Sequence, residues 1–178
     1  MKKPDDGKPN RKSARLGCGC LMSPFLLLVV LGFGTPFYNN SRMSRLERNF
    51  AGLSHPASSQ FLRREKFIGL IGNGNHCDFV VAELRSYSKT GQIRSAYAAS
   101  RLAVPNDADD DSQGTKGGTQ PVELEFLPSP LPKGYRWKYH GVFDWNLSAL
   151  AGQHLYVVIM HNSGENDSWD SLCDWRCL

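Results

Sequence analysis

An α+β fold held behind a membrane anchor is what this sequence predicts: an N-terminal transmembrane helix, then an antiparallel sheet with one helix packed on a face. Three observations lead there. The stretch Leu16 to Tyr38 (LGCGCLMSPFLLLVVLGFGTPFY) has no ionisable side chain except cysteine and tyrosine. Five later runs are short, rich in β-branched and aromatic residues, and separated by Gly, Asn and Pro, as strands are. One stretch between them, Lys89 to Ala103, instead places Ile93, Ala96, Tyr97, Ala99 and Leu102 three to four residues apart, the helical period.

The apolar stretch of about 23 residues would span roughly 35 Å as a helix, against a hydrocarbon core of roughly 30 Å. Leu21, Phe25 to Leu31 and Phe33 supply an insertion free energy of roughly −3 to −5 kcal/mol, which the glycines and Pro24 weaken without reversing. Lys2, Lys3, Lys8, Arg11, Lys12 and Arg15 precede it, against Asp5 and Asp6. The positive-inside bias then places the N-terminus in the cytoplasm and the C-terminal bulk outside the inner membrane, in the periplasm or beyond the cell. A cleaved signal peptide is the rival, with Gly32 and Gly34 as the small residues before a cut at Thr35. The long charged leader favours an uncleaved, single-pass anchor, and both readings export the remainder. The expected organisation is a basic tail over 1–15, the transmembrane helix over 16–38, a stalk or linker over 39–59 and an extracytoplasmic domain over 60–178.

The formal charge of +4 belongs wholly to the tail, whose six basic and two acidic residues leave fifteen of each sign beyond it. An exported part that is neutral offers no basic face for nucleic acid. The tail itself reads as a topology signal, with the membrane as the first partner.

From Asn39 to Ser59 the chain is polar, with Met43, Leu46 and Phe50 along a short stalk or docking helix. His55-Pro56 ends it, since a residue before proline is pushed to extended geometry. Lys66 to Ile71 and Cys77 to Tyr87 flank Gly72-Asn73-Gly74-Asn75 and read as a β-hairpin. After the helix, Asn106 to Gln120 is a loop by composition. Val122 to Leu127 alternates as a half-buried strand with Val122, Leu124 and Phe126 on one face, and the prolines 128, 130 and 132 stop it. Tyr135 to Trp145 reads as a strand with Tyr135, Trp137 and Tyr139 on one face. His154 to His161 is the most strand-like run and belongs in the middle of the sheet.

Five cysteines divide by compartment, Cys18 and Cys20 at the cytoplasmic boundary and Cys77, Cys173 and Cys177 outside. No lipobox is present, because Cys18 precedes the apolar run. The outer cysteines allow a disulfide, a metal site or a nucleophile. In an oxidising compartment a disulfide is the default, and Cys77 with Cys177 is favoured because a Cys173–Cys177 link would constrain little. A zinc set of Cys77, Cys173, Cys177 and His76 is awkward, since adjacent His76 and Cys77 on an extended chain face opposite ways. A Cys77 nucleophile would need one of His55, His140, His154 or His161 alongside, and no motif marks any of them. Asp107, Asp109 and Asp111 begin like a calcium loop, but Ser112 and Gly118 stand where glycine and glutamate belong. No cofactor or metal is therefore expected. Asn39, Asn146 and Asn166 each open an N-x-Ser sequon.

The run Gly72 to Asp78, GNGNHCD, is the most unusual local sequence, and a tight turn accounts for its Gly and Asn residues. With Ser54-His55-Pro56 before it and Glu83-Leu84-Arg85 after it, the chain resembles bacterial exported or membrane-anchored proteins without an assigned activity, a likeness extending to Asp174-Trp175-Arg176-Cys177. That resemblance implies an envelope protein and no mechanism. The functional expectation is a single-pass envelope protein whose disulfide-stapled domain is not an enzyme and binds another envelope protein or a surface polymer. The contact candidates are Asn73, Asn75, His76 and Asp78, with Trp137, Tyr139 and Trp145 as exposed aromatics to test first, core packing being the expected role of at least half of these three. The alternative is an extracytoplasmic thiol- or metal-dependent enzyme using Cys77 with a histidine.

Overall fold

In a computed structural model, residues 16–71, 77–89, 91–104, 119–163 and 174–177 are described, with the backbone alone for 16–25, 27, 28, 30, 31 and 163. The calls on Asn73, Asn75, His76, Cys173, the aspartate loop and the sequon at Asn166 lie outside the described residues. Helix α1 covers Leu16–Ala51, and β1 (Ser59–Gly69) and β2 (Asp78–Tyr87) follow. Helix α2 (Gly91–Tyr97) precedes the short strands β3 (Arg101–Ala103), β4 (Thr119–Pro121) and β5 (Glu123–Phe126). The chain ends with β6 (Arg136–Tyr139), β7 (Phe143–Asn146), β8 (Leu155–Ser163) and a 3-10 turn at Trp175–Cys177. The fold is α+β around a four-stranded sheet ordered β1-β2-β8-β5, every pair antiparallel.

Strands β2 and β8 are central and covered on both faces, so their sequences read as nearly continuous apolar runs. Alternation still sorts their side chains. Phe79 and Val81 with Tyr156, Val158 and Met160 face one core; Val80, Ala82 and Leu84 with Leu155, Val157 and Ile159 face another.

The first core is closed by two helices rather than one, and here the expected stalk is corrected. Instead of leaving the domain at Tyr38, α1 continues unbroken to Ala51, and Asn39, Arg42, Met43, Leu46 and Phe50 are at most 2% exposed. These residues recur at three to four and place one helical stripe on the sheet, joined by Ile93 and Tyr97 of α2. Polar Asn39 and Arg42 disguised that stripe as a linker. The domain therefore takes in the C-terminal half of α1, and the boundary at residue 60 is not a structural one.

The second core lies under the β6–β7 ribbon. Tyr135 to Trp145 is two strands, because His140 (φ 45°) and Gly141 (φ 76°) reverse the chain in the left-handed conformations such a turn demands. Trp137 and Trp145 lie directly opposite each other, ring centres 4.5 Å apart. Each indole N–H donates to a carboxylate on the sheet, Trp137 to Glu125 (2.8 Å) and Trp145 to Glu65 (2.7 Å). Trp137, Trp145 and Tyr139 are 1%, 1% and 9% exposed, so the expected exposed contacts are core residues.

Candidate functional site

The motif residues singled out in the sequence converge beneath α1 in two buried polar clusters. The first centres on Glu83, whose side chain points into the helical core from the middle of β2 and is fully buried. One carboxylate oxygen accepts from Arg64 Nε at 2.7 Å and Nη2 at 2.5 Å, and the other accepts from Arg85 Nη1. Arg85 Nε also donates to Ser59 Oγ (3.1 Å), tying the start of β1 to β2. A buried charge persists only when paired and hydrogen-bonded in this way.

His55, delivered by the Ser54-His55-Pro56 segment, places Nε2 3.5 Å from the same carboxylate and Nδ1 2.5 Å from the Tyr97 hydroxyl. Tyr97 in turn lies 3.3 Å from the hydroxyl of Tyr156. Burial, followed by the charge of Arg85, pushes the His55 pKa below its ordinary value against the opposing pull of Glu83. The ring is thus held neutral, and a proton on Nε2 leaves Nδ1 to accept from Tyr97. Burial and the Tyr156 hydroxyl push Tyr97 strongly upward, keeping its hydroxyl protonated. With both carboxylate oxygens occupied by guanidinium groups and the Tyr97 hydroxyl set between His55 and Tyr156, this network orients three segments.

The neutral histidine has a pH signature. An unfolded His55 protonates near pH 6.5 while the folded one resists. The contribution is therefore complete above pH 6.5 and is lost as pH falls toward the lower folded value. The melting temperature should drop between pH 7.5 and pH 5 in the parent chain and drop less in His55→Gln. An unchanged pH slope in the variant would remove His55 as the source.

The second cluster joins α1 to the C-terminal turn. Cys77 and Cys177 form a disulfide with Cα atoms 5.1 Å apart, the pairing expected of the chain in an oxidising space. Beside it, Asn39 Nδ2 donates to Asp174 Oδ2 (2.8 Å) and lies 3.4 Å from Cys77 Sγ. Arg176 donates to Asp174 through Nε (2.9 Å) and Nη2 (2.6 Å), to Asn40 Oδ1 (2.8 Å) and to the Pro36 carbonyl (3.2 Å). Burial alone would raise the Asp174 pKa, but the hydrogen bonds from Arg176 and Asn39 outweigh it and hold the carboxyl below its ordinary value. Gly69 lets the turn approach β1: a Cβ there would meet the Phe67 ring at 2.5 Å and the Arg176 carbonyl at 3.3 Å. Asn39, buried and committed to Asp174, is no glycan acceptor.

Donor atoms of Cys77, Asp174 and Cys177 lie within 4.8 Å of one another. While the sulfurs are bonded to each other they are not thiolate ligands, and Asp174 is already engaged by Arg176. Cys77 is fully buried. Three of the four described histidines make hydrogen bonds elsewhere, His55 with Tyr97, His154 Nδ1 with Ser129 Oγ and His161 with Asp78, while His140 sits in the β6–β7 turn against the Tyr139 ring.

Asp78 and Tyr139 meet through His161 on the opposite face of the sheet. Asp78 Oδ1 is 2.9 Å from His161 Nε2, and its Oδ2 accepts from the Ile71 amide (2.7 Å), tying the residue just beyond β1 to the start of β2. The Tyr139 hydroxyl is 3.3 Å from His161 Nδ1, and burial, with the charges of Glu123 and Asp78, pushes its pKa up to about 12. Sequence reasoning named Asp78 and Tyr139, weighed His161 only as a partner for Cys77, and missed Arg64, whose partner Glu83 lies on the neighbouring strand. The readable signal was Glu83 and Arg85 sharing a face in a central strand.

No family model, no curated protein and no solved structure matches the chain.

Proposed function

We propose that this chain is a single-pass envelope protein: an N-terminal membrane anchor that continues directly into a disulfide-stapled, non-catalytic α+β domain on the outer side. The observation that carries it is the position along α1 at which burial begins. Among the described side chains of α1, Leu26, Val29, Gly32, Phe33 and Gly34 are exposed and burial begins at Thr35; the helix ahead of it, Leu16 to Gly34, is about 28 Å long at 1.5 Å per residue, close to a hydrocarbon core of roughly 30 Å. Among the described residues no helix is long and apolar enough to cross a membrane. Of the anchor that the sequence places at 16–38, the side chains of 16–25, 27, 28, 30 and 31 lie outside that description. The partner is another envelope protein or a surface polymer, and the rigid coupling of anchor to domain suits display at a fixed height.

The second reading, a thiol- or metal-dependent enzyme, draws on the Cys77, Asp174 and Cys177 donors and requires the bond between the sulfurs to open.

Alkaline carbonate extraction and protease treatment of spheroplasts test the proposal. The chain should stay in the membrane pellet at its full mass, and external protease should remove the C-terminal bulk. Release into the supernatant, a mature protein beginning at Thr35, or a C-terminal portion protected until lysis would each overturn the anchored arrangement.

A further inference from the structure

Seven large apolar side chains are exposed among the described residues: Leu26, Val29, Phe33, Phe37, Tyr38, Phe61 and Trp175. Phe61 lies on β1. The other six belong to the first part of α1 or to the C-terminal turn clamped beside it. At 100° per residue, Leu26, Val29, Phe33 and Phe37 form one stripe, opposite the buried Thr35, Asn39, Arg42 and Leu46. Phe33 and Phe37 are 77% and 78% exposed and point away from the domain.

Trp175 is 70% exposed although its neighbours Asp174 and Cys177 are buried. Nothing about its level is left loose. Cys177 is bonded to β2 through Cys77, Asp174 is held by Asn39, and Arg176 reaches the Pro36 carbonyl and Asn40. The indole is thereby carried on a turn level with Pro36 to Asn40 of the helix, where Phe37 and Tyr38 also stand. That level is where the apolar stretch ends and the folded core begins.

We infer that Trp175 is a second membrane contact, seated with Phe37 and Tyr38 in the headgroup layer of the outer leaflet, so that the domain rests directly on the bilayer. The occupant of this apolar collar is lipid, because Phe37 extends the exposed Leu26, Val29 and Phe33 stripe of the anchor and the turn that carries Trp175 is held at the same level of the helix. Trp and Tyr are the residues that favour this layer, with a flat apolar ring below and a polar edge toward water. The inference rests on the anchored reading and adds a residue from the far end of the chain to it.

The test uses the full chain labelled with 5-fluorotryptophan in vesicles of phosphatidylethanolamine and phosphatidylglycerol, with a nitroxide on the lipid headgroup. Trp175→Phe, a surface change, assigns the Trp175 fluorine resonance. That resonance should broaden severalfold more than those of buried Trp137 and Trp145. Co-flotation of the chain with the vesicles reports separately on the anchor. Flotation with a Trp175 signal as sharp as that of Trp137 overturns the seating and leaves the anchor standing, and points to a protein occupant for the collar. Failure to float overturns both.

Discussion

Replacing Glu83 with glutamine should cost about 3–5 kcal/mol of stability, because it leaves two guanidinium groups facing each other in a core with no carboxylate between them. A domain of this size has roughly 5–15 kcal/mol in total, so the variant sits near the threshold of folding. Urea unfolding of the full chain in detergent micelles, followed through the packed Trp137–Trp145 pair, should show a midpoint shifted far toward lower denaturant. The loss should be specific to the unpaired charge: combining Glu83→Leu with Arg64→Met and Arg85→Met restores most of it, as when a buried ionic set becomes apolar. If Glu83→Gln alone behaved like the parent, Glu83 would not be the organising charge of the first cluster.

The second large effect belongs to the staple. Cys77 and Cys177 are 100 residues apart in sequence, and a loop of that length corresponds to about 4.7 kcal/mol of restricted unfolded chain. The double variant Cys77→Ser with Cys177→Ser should lose up to that amount, and the parent treated with reductant should unfold at the same denaturant concentration. Both cysteines are replaced together so that neither is left to pair with Cys173. An unchanged midpoint in the double variant, or a parent indifferent to reductant, would show that the bond does not form in the purified protein.

Legibility of the fold followed how local each signal was. The run HLYVVIMH announced a central strand because a strand covered on both faces needs no polar alternation, and β8 does lie between β2 and β5. Val122, Leu124 and Phe126 share a face as their spacing predicted. Strand β1 was legible only at its end, because its Arg63 to Lys66 segment lies on an edge where charged side chains reach water. The helix expected over Lys89–Ala103 stops at Tyr97, since Arg101 to Ala103 pair with β4 instead. The hairpin turn at His140-Gly141 escaped notice because the Tyr-x-Trp-x-Tyr alternation runs straight up to it. Of the two readings of Asn39 to Ser59, stalk or docking helix, the docking of Met43, Leu46 and Phe50 is the one the fold adopts; that the packed face reaches back to Asn39 was not legible and had a tertiary cause. Asn39 is polar in sequence and buried in the fold because Asp174, 135 residues later, accepts its hydrogen bond.

The disulfide pairing was legible in part: loop length set aside a Cys173–Cys177 link but does not separate Cys173 from Cys177 as the partner of Cys77, and the structure joins Cys77 to Cys177. The Glu83 cluster was half legible: its residues fell within the quoted motifs, but their meeting depends on His55, Tyr97 and Tyr156 arriving from three separate elements. No local pattern carries that information.

The position of β8 bears on how such a chain matures. Among the described residues it is the last strand along the chain, yet it fills the slot between β2 and β5, pairing Asp78 with Ser163 at one end and Ser86 with Leu155 at the other. Until it emerges, β2 presents an uncovered apolar edge of the kind that invites pairing with another chain. If the chain is threaded outward through a translocation channel from its anchored end, the sheet cannot close before nearly all of it has passed. Export of this protein should then depend on a holding chaperone at the exit, and truncation anywhere before Leu155 should yield an aggregating fragment in place of a smaller folded one.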